Sequence, residues 1–245
     1  MRRIELIGVE GLPEVQPGDD LGALIGARAE VQAGDVLVVA QKVVSKSEGR
    51  IVDLATVHAG EEALRLAPQL IARPDPRVVQ VVLDESVRIL RSERVLITET
   101  RQGYVCANAG VDHSNTGGRD VLTLLPLDPD ASARLLRERL REITGVDVGV
   151  IVSDTFGRPW RLGIVNVALG VAGVAAVIDL RGTPDDDGEV LHATVLAVAD
   201  DIASSAGLVM EKTSRTPAVI VRGLALEGGG SGRELIRPAV EDLFR

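Results

Sequence analysis

The chain has 245 residues, 45% hydrophobic and 26% charged, which excludes disordered, collagen-like and disulfide-stapled classes. A formal net charge of −9 speaks against a sequence-independent nucleic-acid binder, which needs a basic face to displace counterions. Cys106 stands alone, so no internal disulfide forms, and no Cys/His cluster has zinc spacing.

The N-terminal MRRIELIGVEGLPEV lacks the apolar stretch of a signal peptide. No uncharged apolar run approaches the roughly 18 to 20 residues of a membrane span. A cytoplasmic protein with no membrane partner is expected.

In chain order, Ile4 to Val9 alternates and ends at Gly11-Leu12-Pro13, a strand into a turn. Asp20 to Ala29 reads as a short capped helix, and Val36 to Ala40 as a buried strand. Gln41 to Gly49 reads as polar and irregular. Gly60 to Leu70 and Pro76 to Leu90 read as helices. Val95 to Thr100 and Tyr104 to Asn108 flank Arg101-Gln102-Gly103 as a hairpin. Pro129 at the first helical position, capped by Asp128, opens a helix that runs to Thr144 and stops at Gly145. Val148 to Val152 is an apolar strand ending in Ser153-Asp154-Thr155. Val167 to Leu180 reads as a loop or helix followed by a strand, and Leu191 to Met210 as a long helix. Pro217 to Val221 is a last buried strand. Gly228 to Gly232 reads as a flexible loop before a short terminal helix. The elements lack a βαβ rhythm, so the expected fold class is α+β with mixed sheets.

Three clusters at strand ends carry candidate chemistry. Asn108-Ala-Gly-Val-Asp112-His113-Ser-Asn115 offers oxygen donors for a hard cation, or is a turn whose side chains satisfy their own backbone. Asp154 and Thr155 close a buried strand, where a sheet edge opens on a crevice. Arg158 and Arg161 follow, with the spacing to clamp a small anion, beside Trp160. The alternative there is a surface turn. The third cluster holds Lys42 and Lys46, two of only three lysines in a chain with 24 arginines. They suit phosphate as point charges, or form a solvated face. There is no GxxxxGK[ST] and no GxGxxG after a strand, so any nucleotide is held without a P-loop. The residues alone point to a metal-dependent enzyme acting on anionic substrates.

GLPEVQPGDDL, DVLVVAQKVVSKSEGR, NAGVDHSN, VIVSDTFGRPWRLG and AVIVRGL, in that order, resemble the coenzyme F420-0:L-glutamate ligase (F420 gamma-glutamyl ligase) family. The resemblance runs from Ile4 to Arg245. It implies a single ligase domain over residues 1–245, divisible into two interlocked subdomains, in that family's own α+β fold. The closing ELIRPAVEDLFR resembles the end of the ligase half of two-domain actinobacterial enzymes. A stand-alone ligase without the nitroreductase-like FMN domain is therefore expected.

The family reaction is GTP-dependent. An acyl phosphate forms on F420-0, and L-glutamate attacks it. A further glutamate is then γ-linked to F420-1. The resemblance also implies two divalent cations (Mn²⁺ or Mg²⁺), K⁺ and a homodimer. The family's metal ligands fall on Asp112, Asp154 and Thr155. Its nucleotide contacts fall on Leu12, Pro13, Glu14, Val15, Gln41, Lys42, Lys46 and Asn115. Arg158 and Arg161 are candidates for the anionic groups of F420-0.

One segment departs from the family. Its nucleotide loop reads Met-Gly-Glu, with the Glu on the second metal. Here it reads Met210-Glu211-Lys212. Either Glu211 takes the metal role or Lys212 replaces a positive charge, and Glu211 is preferred because cations around a triphosphate need a carboxylate. Glutamylation of another acceptor, and metal-dependent phosphohydrolysis, remain alternatives.

Overall fold

The computed structural model describes residues 3–113, 120–210, 215–224 and 228–242. The chain order is β1 (Glu5–Gly8), α1 (Leu21–Gly26), β2 (Val36–Ala40), α2 (Gln41–Ser47) and β3 (Ile51–Asp53). Then come α3 (Glu61–Leu66), α4 (Pro76–Asp84), β4 (Ser86–Arg91), β5 (Ile97–Thr100), β6 (Val105–Ala107) and β7 (Val121–Thr123). The remainder is α5 (Pro129–Thr144), β8 (Gly149–Arg158), β9 (Arg161–Ala172), β10 (Ile178–Asp179), β11 (Val195–Leu196), α6 (Val198–Ala206) and β12 (Ala218–Arg222). The α+β expectation holds.

The largest sheet runs β1-β12-β2-β8-β9. Only β2 and β8 pair in parallel; its other pairings are antiparallel. Alternation along these strands divides two cores. Leu37, Val39, Val150 and Val152 pack with α1 and α5. Val36, Val38, Ile151, Val219 and Val221 pack with α6 on the other face. Each buried aliphatic side chain contributes about 1.5–3 kcal/mol, so scarcity of aromatics is no handicap. Residues 51–125 form smaller sheets, β3-β7 and β4-β5-β6, over clusters built on α3 and α4.

Several expectations are corrected. Gln41–Ser47 is helical: Gln41 Oε1 accepts from Ser45 Oγ one turn later at 2.8 Å, so its polar residues pair inward. The helix from Pro76 stops at Asp84, because Ser86–Arg91 finds ladder partners on β5. The Val167 segment is the inner half of β9, and the helix expected over 191–210 is confined to Val198–Ala206. In both, strand pairing overrides local pattern.

The Gly-rich tail is pinned rather than flexible. Gly232 N–H and Ser231 Oγ donate to the buried Asp130 carboxylate at 2.7 and 2.6 Å. A Cβ on Gly232 would lie 1.9 Å from Leu169 O, so the glycine serves close backbone approach. The tail beyond forms short 3-10 turns at Gly232–Leu235 and Ala239–Glu241 instead of an α-helix.

Candidate active site

The parallel pairing of β2 with β8 sets Ala40 beside Ser153. The start of α2 and the Asp154-Thr155 pair therefore emerge at one edge of the sheet. A carboxyl edge shared by adjacent parallel strands is where α/β sheets open a crevice. Strand alternation then separates the two neighbours on β8. Asp154 follows Val150 and Val152 onto the α5 face, and Thr155 follows Ile151 onto the α6 face. Thr155 sits across from Asn166, whose Nδ2 meets Met210 Sδ at 3.4 Å. Met210 packs against the α6-side core, next to the start of the segment at 211.

Asp112 reaches the same edge through a strained turn. Asn108, Ala109 and Gly110 all have positive φ, at 52°, 53° and 69°. Gly is at ease there and Asn tolerates it, but the buried Ala109 is held at a cost of about 1–2 kcal/mol. Asp112 and Thr123 then exchange both backbone hydrogen bonds, at 3.0 and 2.9 Å. This fixes the Asp112 carboxylate, whose Oδ2 lies 2.6 Å from Lys42 Nζ. One turn along α2, Lys46 Nζ pairs with Glu14. Val15 is buried under that segment, Leu12 packs on the same core and Pro13 is exposed.

Beneath the edge lies a layer of the buried Tyr104 and Cys106 with the half-buried Phe156. Tyr104 Oη donates to Leu169 O at 2.6 Å and stands edge-to-face with Phe156, centroids 6.5 Å apart. Burial, then the nearby Asp130 charge, raises the Tyr104 pKa, so the phenol stays protonated and donates. Cys106 is buried across from Thr98 on β5. Its thiol is pushed up to about 12, first by burial and then by the charge of Asp154, against a lowering hydrogen bond from Gly110. It is therefore a neutral neighbour of Asp154 and no nucleophile at pH 7. Gln41 Nε2 and Ser153 Oγ are buried at the edge with no hydrogen-bond partner among the described residues. Groups like these are costly unless a ligand engages them. The family resemblance had singled out Gln41, whereas Ser153 Oγ is marked only by its burial.

The donor set can be tested against a hard divalent cation. Asp112, Asp154 and Thr155 supply only oxygen, which suits Mg²⁺ or Mn²⁺ and not a thiophilic metal. A cation already lies against Asp112, in the form of the Lys42 ammonium. The residues thus fit in kind. Among the described residues no group of three or more His, Cys, Asp and Glu could hold a metal. Asn115, Glu211 and Lys212 lie outside the described residues.

Arg158 and Arg161 are not brought to this edge. They face one another across the β8–β9 turn, and Arg158 Nη2 donates to Leu162 O at 3.2 Å. Four residues of strand put Arg158 about 13 Å beyond Asp154.

An α+β protein with lysines and hard oxygen donors gathered at one parallel-strand edge, and no P-loop, is the class this geometry defines. The profile of the family described as F420-0:Gamma-glutamyl ligase matches residues 11–223. The chain belongs to that family. It is 48% identical to the coenzyme F420:L-glutamate ligase of Methanopyrus kandleri, over 99% of this chain and 97% of the relative. The ligases of the same name from Archaeoglobus fulgidus and Methanocaldococcus jannaschii are 46% and 43% identical. Those alignments cover 99% and 100% of this chain, and 97% and 98% of the relatives. No helix among the described residues is long and apolar enough to cross a membrane.

Proposed function

We propose that the protein is a GTP-dependent ligase that joins L-glutamate to coenzyme F420-0 and then a γ-linked glutamate to F420-1. The observation that supports the reading is the Lys42–Asp112 pair at the start of α2, which follows the β2 end that lies beside Ser153, the residue before Asp154. Family membership supplies the substrate class.

In this reading the terminal carboxylate of F420-0 attacks the γ-phosphorus of GTP. A carboxylate–phosphorus bond forms, the bridging oxygen–phosphorus bond to GDP breaks, and an acyl phosphate results. The amine of glutamate then attacks the carbonyl, loses its proton and expels phosphate. Lys42 and Lys46 hold phosphate oxygens as point charges from a rigid helix, which positions the reacting phosphoryl group. Asp112, Asp154 and Thr155, with Glu211, would hold two divalent cations. Such ions would neutralise charge developing on the phosphoryl oxygens. Gln41 Nε2 and Ser153 Oγ supply two further donors. The protein acts as a homodimer in the cytoplasm, K⁺ assists, and Arg158 and Arg161 take anionic groups of the acceptor. What supports the dimer is the apolar tip of the β8–β9 hairpin, with Trp160 84% and Leu162 99% exposed.

The test is purified protein with GTP, Mn²⁺, F420-0 and L-glutamate, read by mass spectrometry. Products heavier by one and two glutamyl residues are expected, with GDP and phosphate. GTP loss without a heavier acceptor would replace ligation with phosphohydrolysis. Glutamylation of a folate-like acceptor in preference to F420-0 would reassign the substrate.

A further inference from the structure

The chain enters residues 51–125 from Arg50 and leaves them at Leu125, and the two crossings lie side by side. Leu124 N–H donates to Arg50 O at 3.0 Å, and Arg50 Nε donates to Leu125 O at 3.0 Å. Arg50 N–H in turn donates to Ser45 O at 2.8 Å, on the helix α2 that carries Lys42 and Lys46. A short ladder runs from here to Asp112. Ile51 pairs with Thr123, and Thr123 exchanges both backbone hydrogen bonds with Asp112. Two adjacent crossings form a narrow neck, and contacts along one line leave rotation about it free.

The Arg50 guanidinium supplies a contact off that line. Its Nη2 donates to Glu85 Oε2 at 2.6 Å, and the two side chains are only 19% and 17% exposed. Glu85 caps the end of α4, and α4 packs against the Asn108–Gly110 turn that leads into Asp112. Val78 of α4 and Val111 pack against one apolar cluster. A Cβ on Gly110 would stand 2.7 Å from the Leu125 side chain, so the turn also rests on the residue whose carbonyl Arg50 holds. A guanidinium that grips a carbonyl and a carboxylate through its rigid fork fixes direction as well as distance. Tyr104 Oη on Leu169 O holds the β5–β6 side of the same residues.

We propose that Arg50 is a positioning residue for Asp112: by bridging Leu125 O and Glu85, its guanidinium sets the place of the Asp112 carboxylate relative to Lys42 and Asp154. The inference rests on the divalent-cation reading above and adds to it a residue outside the donor set.

The experiment titrates Mn²⁺ into the parent chain, Arg50→Met, Glu85→Gln, the double variant and Arg88→Met, alone and with GDP. Free ion is read by electron paramagnetic resonance against protein-free controls. Losing a group that orients a metal ligand directly weakens metal binding by about 10- to 100-fold, and Arg50 acts one step further back, so Arg50→Met is expected to weaken it by about three- to tenfold. Glu85→Gln keeps an oxygen for the guanidinium but loses the charge, and should weaken binding by about two- to threefold. The double variant should bind no worse than Arg50→Met, since both changes break one bridge. Arg88 pairs with Glu99 at 2.7 Å between β4 and β5, and Arg88→Met should bind Mn²⁺ as the parent does. A merely structural role for Arg50 would lower the melting temperature and leave the Mn²⁺ affinity of the folded protein unchanged, and that result would overturn the inference alone. Should Arg50→Met not fold, Glu85→Gln decides by the same measure. A parent that binds no Mn²⁺ in either condition would overturn the cation reading and this inference with it.

Discussion

The two halves of the β8–β9 hairpin differ more than any other adjoining parts of the molecule. The inner half, Gly149 to Ser153 on β8 and Ala168 to Ala172 on β9, is buried on both faces between α5 and α6. The outer half ends in an exposed turn at Pro159-Trp160, with Leu162 and Ile164 also exposed. Asp154 and Thr155 lie at the crossover. Their backbone is gripped by the core while their side chains reach the sheet edge. One strand thus supplies a rigid base, a candidate site and a projecting apolar surface, and burial alone tells them apart.

The base is held by more than aliphatic packing. The β8–β9 register skips at Leu169, a bulge that would leave backbone groups unpaired. Tyr104 Oη donates to Leu169 O, and Ala168 N–H donates to Asp200 Oδ1 at 2.8 Å. The turn at the tip is strained instead. Pro159 is followed by Trp160 at φ 58°, a position that ordinarily takes glycine.

Four outcomes would break or sharpen this contrast. Asp154→Asn at the crossover should lower ligase turnover by at least about a hundredfold with little change in melting temperature. Turnover within a few-fold of the parent would remove Asp154 from the site. Ile151→Ala in the base should cost about 2–5 kcal/mol in chemical denaturation, because neighbours packed on both faces cannot collapse into the space. At the tip, Trp160→Gly with Leu162→Ser should leave the monomer as stable or more stable, by up to about 1 kcal/mol, by relieving the turn. Sedimentation should then show a shift toward monomer; an unchanged assembly would place the dimer contact elsewhere.

The smallest effect concerns Asp200. Burial raises its pKa above the ordinary 3.8, outweighing the hydrogen bond from Ala168, and Asp201 adds to the rise. The ionised form is thus disfavoured in the folded protein. Stability from this group is full below pH 3.8 and is lost as pH rises through the raised folded value. Asp200→Asn should be more stable than the parent at pH 7, by less than about 1 kcal/mol, with the gain fading toward pH 3. A gain that grows on acidification would contradict the sign.

The motif residues were legible because chemistry forces their types. Oxygen donors at strand ends, and lysines kept in an arginine-rich chain, stand out without coordinates. The structure does bring Lys42 to Asp112 and Lys46 to Glu14. Asp154 and Thr155 read as one dipeptide, but the pleat sends them to opposite faces. Arg158 and Arg161 read as neighbours of Asp154, but an extended strand carries them away from it. A compact motif in sequence is a long object when its backbone is β.

From the sequence alone came the α+β class, the capped helix at Pro129–Thr144, the hairpin of β5 and β6, and the absence of a P-loop. These depend on local signals: caps, turns and alternation within a few residues. Only the tertiary structure decided that Gln41–Ser47 is a helix, that β4 ends the helix before it, and that the Gly-rich tail is clamped by Asp130. It alone decided that β2 and β8 run side by side and so define the edge where the candidate residues meet. The reason is physical: strand pairing and burial are long-range interactions whose partners lie dozens of residues apart, and no local window contains them.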